Sequence, residues 1–600
     1  MPYKSTHDVI HDLEQKGELV RIKEEVNPYL EAAAVHLEVF KNNGPAILFE
    51  NLKGTKFPAV SNLFGTLERS QYLLRDSWSD FANLVHLKDN PGSGFKHPFK
   101  TLKTLYKASK ALPLKTNHHP VMWQECKISD LPQIQCWPND GGAFITLPLV
   151  YSEDVEQPGV MHGNLGMYRI QLSGNEYVQN KEVGLHYQIH RGIGVHQTKA
   201  NKLGQPLKVS IFVGGSPANI FSAVMPLPEG MSELTFAGFL NNRRFRYGYK
   251  NGYFIPSEAD FVILGEIYPN ETKPEGPFGD HLGYYSLKHP FPVMRVKKVY
   301  HRKNAVWSFT VVGRPPQEDS QFGKLIHLLT KDVLLKEIPG LKAVNAVDAA
   351  GVHPLLLVLG SERYTPYLEK QQPQELLTIA NHILGTGQMS LAKYLFIAEH
   401  SEQVNVDNEK EFFTYFLERF NPQRDIHFQT NTTIDTLDYS GTGLNQGSKV
   451  VFAAIDKKIN QLSLEFSNLS THAQVVSAGI LAVELTPFTN YENAKREMHQ
   501  FAMEIKDKIN GFPLIVVCDD ARFLAQDFDN FLWVTFTRSN PAYDIYGINE
   551  SIEHKHWKCD AVIIDARKKP HHAPELSMPD EVMQKVYQLG EKGGSLHGII

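Results

Sequence analysis

One eight-residue pattern occurs twice in the C-terminal third of the chain and restricts what that third can fold into. Arg419-Phe420-Asn421-Pro422-Gln423-Arg424-Asp425-Ile426 returns as Arg538-Ser539-Asn540-Pro541-Ala542-Tyr543-Asp544-Ile545. Each copy follows an aromatic-rich segment (Phe412–Phe416, Phe531–Phe536), and before that an apolar strand pattern (Tyr394–Ile397, Leu514–Val517). Each then runs to a charged stretch, Asp456-Lys457-Lys458 in one and Asp565 to Lys569 in the other. Self-similarity of this kind implies two related α/β units. Chance likeness between βα units is the bland alternative.

The remaining 600-residue chain divides by its periodicities. Val9, Ile10 and Leu13 before Gly17 read as a helix and its stop. Leu19–Ile22 reads as a strand, a helix spans about 29–42, and Pro45–Phe49 is a buried strand. Residues 1–118 therefore form an N-terminal α/β domain with a lysine-rich stretch near 100–115. Residues 119–318 change character: Tyr168–Leu172, Val209–Val213, Phe261–Gly265 and Val306–Val311 are short and β-rich, with Gly or Pro between them. A split β-barrel or sandwich core is expected there. Val209–Val213 followed by Gly214-Gly215-Ser216-Pro217 marks a strand-to-helix turn, with Ser216 as N-cap and Pro217 at the first helical position. Such a turn also offers free N–H groups to a phosphate. Gly313-Arg314-Pro315-Pro316 marks a boundary. Residues 319–464 hold the first C-terminal unit and 465–600 the second, so the fold class is α/β (α+β) in several domains.

Lys plus Arg number 61 against 66 Asp plus Glu, a formal net charge of −5. That balance provides no electrostatic footprint for nucleic acid. The four cysteines, Cys126, Cys136, Cys518 and Cys559, form no C-x-x-C pair, so a structural zinc site or redox dithiol is not expected. Few thiols fit a reducing compartment. There is no signal-peptide pattern, and Leu355–Leu359 is far too short to span a bilayer. A cytoplasmic protein with no transmembrane segment is expected.

The densest chemical signal is Pro274-Glu275-Gly276-Pro277-Phe278-Gly279-Asp280-His281. Gly and Pro between the two acids exclude a helical pair and place both carboxylates on a tight loop. Two solvated turn acids are the bland reading. No H-E-x-x-H, Walker or G-x-S-x-G pattern is present, and Gly441–Gly447 misses the dinucleotide fingerprint by one residue. His186 and His190 share a face in either a helix or a strand, so their spacing alone decides nothing. Ser232 reads as an N-cap, which makes Glu233 a first-turn acid.

Five ordered segments carry a resemblance. They are Asn164-Leu165-Gly166-Met167-Tyr168-Arg169; His190-Arg191-Gly192; Met225-Pro226-Leu227-Pro228 with Ser232-Glu233; Glu275 to His281; and Gly313-Arg314-Pro315-Pro316. Asp435-Thr436-Leu437-Asp438 with Gly447-Ser448-Lys449 adds a sixth, and Gly44–Glu50 also fits. Over roughly residues 5–460 the chain resembles the UbiD family of prenylated-FMN-dependent decarboxylases, in its longer, menaquinone-associated type.

The resemblance implies a metal site of Asn164, His190 and Glu233 holding Mn²⁺, with K⁺ as a further ion near the carbonyls of Ala223 and Met225. It implies a cofactor surface of Met167, Tyr168, Arg169, His186, Tyr187, Gln188, Arg191 and Gly192, with Lys393 on the phosphate. It implies a catalytic network of Arg169, Glu275 and Asp280, with Asp280 as proton donor. A carboxylic acid kept dry behind Gly279 near other acids is expected to have a raised pKa, and Arg169 would bind the substrate carboxylate or pair with Glu275. The implied activity is non-oxidative decarboxylation of a hydroxylated aromatic acid in ubiquinone or menaquinone biosynthesis. A flavin prenyltransferase would supply the cofactor to a homo-oligomer, with peripheral membrane contact left open. Two alternatives stand beside it: a split-barrel FMN oxidoreductase and an inactive assembly partner. The sequence departs from the family where Ala398-Glu399-His400 replaces an acidic run and Cys518-Asp519-Asp520 follows the second repeat's strand instead. Oligomer contact is the role expected for residues 465–600.

Overall fold

The structure, a computed structural model, describes residues 2–77, 111–187, 192–227, 231–364, 372–455, 457–466 and 473–600, with only the backbone at 330–334. Gln188, His190 and Arg191, most of the lysine-rich stretch, and Asp456 lie outside the described residues.

The N-terminal helix Thr6–Lys16 is capped by Ser5, whose side chain accepts from the Asp8 N–H, and it stops at Gly17 in the left-handed region (φ 77°). The helix Glu31–Lys41 and the strands Leu19–Val26 and Ala46–Leu52 follow as expected. Those two strands pair in parallel, and Ala59–Ser61 adds antiparallel to the second. The fourth strand of this sheet is Trp307–Ser308, which pairs in parallel with Ala59–Ser61. The β-rich stretch 306–311 thus yields only two strand residues, and they leave the central region for the N-terminal sheet. Register with a distant partner, not local β propensity, decided this.

Beside a small separate sheet of Tyr253–Pro256, Arg246–Lys250 and Leu114–Lys115, the central region is built on a nine-stranded antiparallel sheet. Its ordered path runs Phe144–Ile145, Ile170–Gln171, Glu182–Leu185, His289–His301, Phe261–Glu275, Leu207–Val213, Leu149–Glu153, Gly163–Gly166, with Gln124–Glu125 attached to His289–His301. The expected strand 168–172 shortens to Ile170–Gln171. The long hairpin Phe261–Glu275/His289–His301 sets Glu275 opposite His289. Its tip carries a second small ladder, Phe278↔Ser286 and Gly279↔Tyr285.

Ser216 caps the helix Pro217–Val224, accepting from the Ala218 N–H at 3.3 Å. The preceding glycine turn is already occupied: the Gly215 N–H donates to Asp260 Oδ2 (3.0 Å) and Thr6 Oγ1 (2.9 Å). An internal carboxylate fills the position that a phosphate would take.

The two C-terminal units have the same sheet. Leu341–Ala346, Leu355–Gly360, Tyr394–Glu399, Gly447–Ala454 and Ile426–Thr432 are ordered antiparallel, parallel, parallel, antiparallel. Ala473–Ser477, Ile480–Glu484, Leu514–Cys518, Ala561–Asp565 and Ile545–Ile548 repeat that order and those directions. The repeated octapeptide has a local cause. The Asn421 N–H donates to Asp425 Oδ2 (2.9 Å), and the Asn540 N–H to Asp544 Oδ2 (2.6 Å), closing the same turn before each edge strand. Phe413, Phe416, Phe531 and Phe536 from both units share one core.

The second unit packs against the hairpin of the central region and against the N-terminal domain. The indole of Trp533 donates to the Leu282 carbonyl (2.8 Å) and stacks on Tyr284 at 5.2 Å. The Tyr285 N–H donates to the Pro574 carbonyl (2.9 Å), and the Leu576 N–H to the Gly283 carbonyl (3.1 Å). The unit therefore grips the turn that follows Asp280. Further on, Val586 and Leu596 enter the core that holds Ala32–Val35 and Val39 of the N-terminal domain. The Ser595 hydroxyl reaches Glu24 (2.5 Å).

Candidate active site

The hairpin tip is built around glycine. A Cβ on Gly279 would lie 2.0 Å from Trp137 Cδ1, and one on Gly141 would lie 2.2 Å from the Gly276 carbonyl oxygen. Buried Asp140 fastens the tip from below, accepting from the N–H groups of Gly279 (2.8 Å), Trp137 (2.9 Å) and Cys136 (3.2 Å). Gln171 holds the other side, taking the Gly276 N–H at 3.0 Å. This loop is rigid because its peptide groups are spoken for.

Onto it converge the three residues expected to form one network. Arg169, just before Ile170–Gln171, forks onto Glu275: Nε to Oε1 at 2.8 Å and Nη2 to Oε2 at 2.9 Å. Its Nη1 donates to Asp280 Oδ2, and Nη2 also reaches Ser286 Oγ at 2.8 Å. The guanidinium lies over the Phe278 ring at 4.6 Å. His186 Nδ1 joins at 2.9 Å from Arg169 Nη2 and 3.1 Å from Glu275 Oε2. Of the two roles expected for Arg169, the pairing with Glu275 is present in this structure.

The electrostatics overturn one expectation. Burial acts to raise both carboxyls, but Arg169 and the hydrogen bonds outweigh it, and Glu275 settles at about 2. Asp280 also falls to about 2, through the hydrogen bond from His281 and the Arg169 charge. Asp280 is thus a stabilised anion at rest, not a raised acid. The opposing donors had no signature in sequence spacing. Burial and the Arg169 charge hold His186 below its ordinary value, so it is neutral.

The metal expectation is partly visible. Asn164, in Gly163–Gly166, and Glu233, the first residue of the helix Glu233–Leu240, lie side by side, with Glu233 Oε2 accepting the Leu165 N–H at 3.3 Å. A Cβ on Gly192 would lie 2.0 Å from Asn164 Oδ1, so the start of the helix Gly192–Lys202 abuts the same point. Burial raises the Glu233 carboxyl, and among the described residues no cationic side chain pairs with it. A half-buried carboxylate and a half-buried carboxamide oxygen without a cation fit a hard divalent ion. Ser232 occupies the N-cap position, but its hydroxyl does not cap the helix.

The helix Pro217–Val224 packs on the Asn164 strand and brings Ala223 and Met225 to its C-terminal end, where carbonyls favour a cation. Tyr168 and Tyr187 have ring centroids 5.8 Å apart, whereas Met167 packs into a separate core, the one that holds Phe221 and Leu234. His196 takes a structural role, bonded to Ser152 Oγ at 2.9 Å.

Lys393 does not join this cluster. It is buried in the first C-terminal unit, with Nζ 2.7 Å from Asp438 and 2.6 Å from Ser440 Oγ. An internal ion pair takes the place of the phosphate contact that resemblance implied. Sequence reasoning passed over Asp140, Ser286 and the partners of His281. Only the juxtaposition Asp280-His281 was a usable signal for any of them.

Three family models match the chain. The 3-octaprenyl-4-hydroxybenzoate carboxy-lyase N-terminal domain matches residues 10–88, its Rift-related domain 107–315, and its C-terminal domain 320–454. A Chlamydia pneumoniae protein, named as one of the subunits of 4-hydroxybenzoate decarboxylase, is 36% identical over 579 residues, covering 95% of each chain. An Archaeoglobus fulgidus protein is 33% identical over 464 residues, covering 76% of this chain and 92% of its own. Among solved structures, the closed form of Sedimentibacter hydroxybenzoicus vanillic acid decarboxylase superposes with a TM-score of 0.63 at 22% identity, covering 84% of this chain and 99% of that one. HmfF from Pelotomaculum thermopropionicum, in an evolved dimeric form with prFMN, gives 0.57 at 21%, covering 78% and 97%.

Proposed function

Because this chain belongs to the UbiD family and is a carboxy-lyase, we propose that it decarboxylates a hydroxylated aromatic acid of quinone biosynthesis using prenylated FMN. The observation that carries this reading is the closed Arg169–Glu275–Asp280 cluster on a glycine-defined hairpin tip, within reach of the Tyr168–Tyr187 face. The substrate class follows the names of a relative and a neighbour, a hydroxybenzoate and a vanillic acid decarboxylase.

When bound, the modified flavin supplies the electron sink that loss of CO₂ from an aromatic ring requires. Asn164 and Glu233, with His190, would hold Mn²⁺ at the cofactor phosphate, and the carbonyls near Ala223 and Met225 would take K⁺. Met167, Tyr168, Tyr187 and His186 would form the walls, with Gln188, Arg191 and Gly192 closing the cofactor side. Glu275, anionic and pinned by Arg169, holds that guanidinium in one orientation, and the guanidinium in turn aims Asp280. Asp280 delivers the proton that replaces CO₂ on the ring carbon. The reaction consumes one proton per turnover, and no electrons leave the substrate–enzyme pair. A flavin prenyltransferase would supply the cofactor, and the working particle would be a homo-oligomer.

The test is chain co-produced with a flavin prenyltransferase and assayed for CO₂ release from 4-hydroxybenzoate, its prenylated forms and dihydroxynaphthoate. Asp280→Asn should retain flavin and lose turnover by at least about 100-fold. Holoenzyme inert towards every one of these acids would end the substrate assignment, and an active Asn variant would remove Asp280 as donor.

A further inference from the structure

Among the described residues, every hydrogen-bond partner of the Asp280 carboxylate is a donor. Oδ2 accepts from Arg169; Oδ1 accepts from the His281 N–H at 2.8 Å and faces His281 Nδ1 at 2.9 Å. Yet each CO₂ released requires Asp280 to hand over a proton and to regain one. Arg169 cannot give one up, and neither can a peptide N–H. His281 is the single partner in this set whose proton is transferable.

His281 leads outward. One ring nitrogen or carboxylate oxygen from each of His281, His353 and Asp435 lies within 4.8 Å of the other two. His353 Nδ1 hydrogen-bonds Asp435 Oδ2, and the two imidazoles meet edge to face with centroids 6.3 Å apart. In path order the side chains of Asp280, His281, Asp435 and His353 are 10%, 27%, 6% and 22% accessible, so both imidazoles meet solvent while the two acids are buried. His353 follows Val352, a β-branched residue held at φ 69° in the left-handed region.

We propose that His281 relays protons to Asp280 and is recharged from solvent through the Asp435–His353 pair. In each cycle the Asp280 proton goes to the ring carbon. The N–H bond at His281 Nδ1 then breaks as an O–H bond forms at Asp280 Oδ1. The neutral imidazole regains its proton from the His353 side, and His353 from water. His281 acts through Asp280 and never touches the reacting carbon, so it is a positioning and relay residue. The groups facing it are Asp280 on its own turn, Asp435, Asp319 and His353 from the packed C-terminal unit, with Asp348 beyond them. Burial alone would lower His281, but the acids around it, Asp280 foremost, raise it to about 9, so the relay is charged at neutral pH.

This inference rests on the proposed decarboxylation, and its test has one arm independent of turnover. In holoenzyme, His281→Gln keeps a donor to Asp280 but cannot relay. Its kcat should fall about 100-fold or more with KM and flavin content unchanged. Added imidazole should restore activity in proportion to its concentration, and His353→Gln or Asp435→Asn should show a smaller loss. In cofactor-free protein, ¹⁵N-histidine spectra assigned with the His281→Gln variant should show His281 titrating well above 7, with a downward shift in Asp435→Asn. The relay is overturned by full kcat in His281→Gln, by loss that imidazole does not rescue, or by a His281 that is neutral at pH 7. It is also overturned if one equivalent of divalent metal bound by wild type is lost from His353→Gln, since the cluster would then be a cation site. Wild-type holoenzyme inert towards these acids sinks the substrate reading, whereas a His281 neutral at pH 7 in cofactor-free protein sinks the relay alone.

Discussion

Substituting alanine for Gly279 tests whether the hairpin tip is fixed by contact with Trp137. The added Cβ would sit 2.0 Å from Trp137 Cδ1, where ordinary contact begins at 3.4 Å, so something must yield by 3.4 − 2.0, about 1.4 Å. The indole is poorly placed to move: it is buried and its Nε1 donates to the Val312 carbonyl at 2.8 Å. The peptide is tied as well, by the Gly279 N–H to Asp140 Oδ1 at 2.8 Å. Overpacking of this kind costs about 1–3 kcal/mol, and a displacement near 1 Å passed to Asp280 is worth about 100-fold in rate. Gly279→Ala should therefore lower the unfolding free energy from urea melts by that amount and lower kcat by about two orders of magnitude, with flavin still bound. Trp137→Leu opens the space, so the double variant should recover part of both losses, with a coupling of about 0.5–3 kcal/mol. Full activity in Gly279→Ala, or penalties that simply add in the double variant, would refute the steric argument.

Two further outcomes follow from the charges. Glu275 and Asp280 are held at about 2, below their unfolded values near 4, so the stability they contribute is fully present above pH 4 and is lost as pH falls towards 2. Arg169→Met strands both carboxylates: stability at pH 7 should drop by about 3–5 kcal/mol and recover partly on acidification, reversing the wild-type slope in urea melts. An unchanged slope would show that Arg169 is not their counter-charge. Glu233→Gln removes the carboxylate that lacks a cationic partner. Metal analysis after dialysis should find bound Mn²⁺ reduced by at least about tenfold, and equal retention would move the metal elsewhere.

Local chemistry made parts of this molecule legible and long-range pairing hid the rest. The duplication could be read because each Asn-Pro turn is closed by its own Asp four residues on, a contact written entirely in neighbouring positions. The cap at Ser216 and the stop at Gly17 were equally local. The hairpin tip announced itself because only glycine fits against Trp137. By contrast, Trp307–Ser308 went to the N-terminal sheet because its partner is Ala59–Ser61, far away in sequence. The Asp280 anion depends on Arg169 and His281 together, and the former is 111 positions distant. Lys393 looked like a phosphate ligand until its burial against Asp438 was seen. The grip of Trp533 on Leu282 spans 251 positions and leaves no pattern at either end.

The packing of Val586 and Leu596 into the same core as Ala32–Val35 and Val39 bears on biosynthesis. Glu24 and its partner Ser595 are 571 positions apart. At about 5–20 residues per second, a ribosome needs roughly 30 s to 2 min to cover that interval. Throughout it, the inner face of the helix Glu31–Lys41 is missing part of its cover. The helix Glu31–Lys41 is thus synthesised well before its packing is complete, and its inner face is a place for a chaperone to hold while the chain emerges.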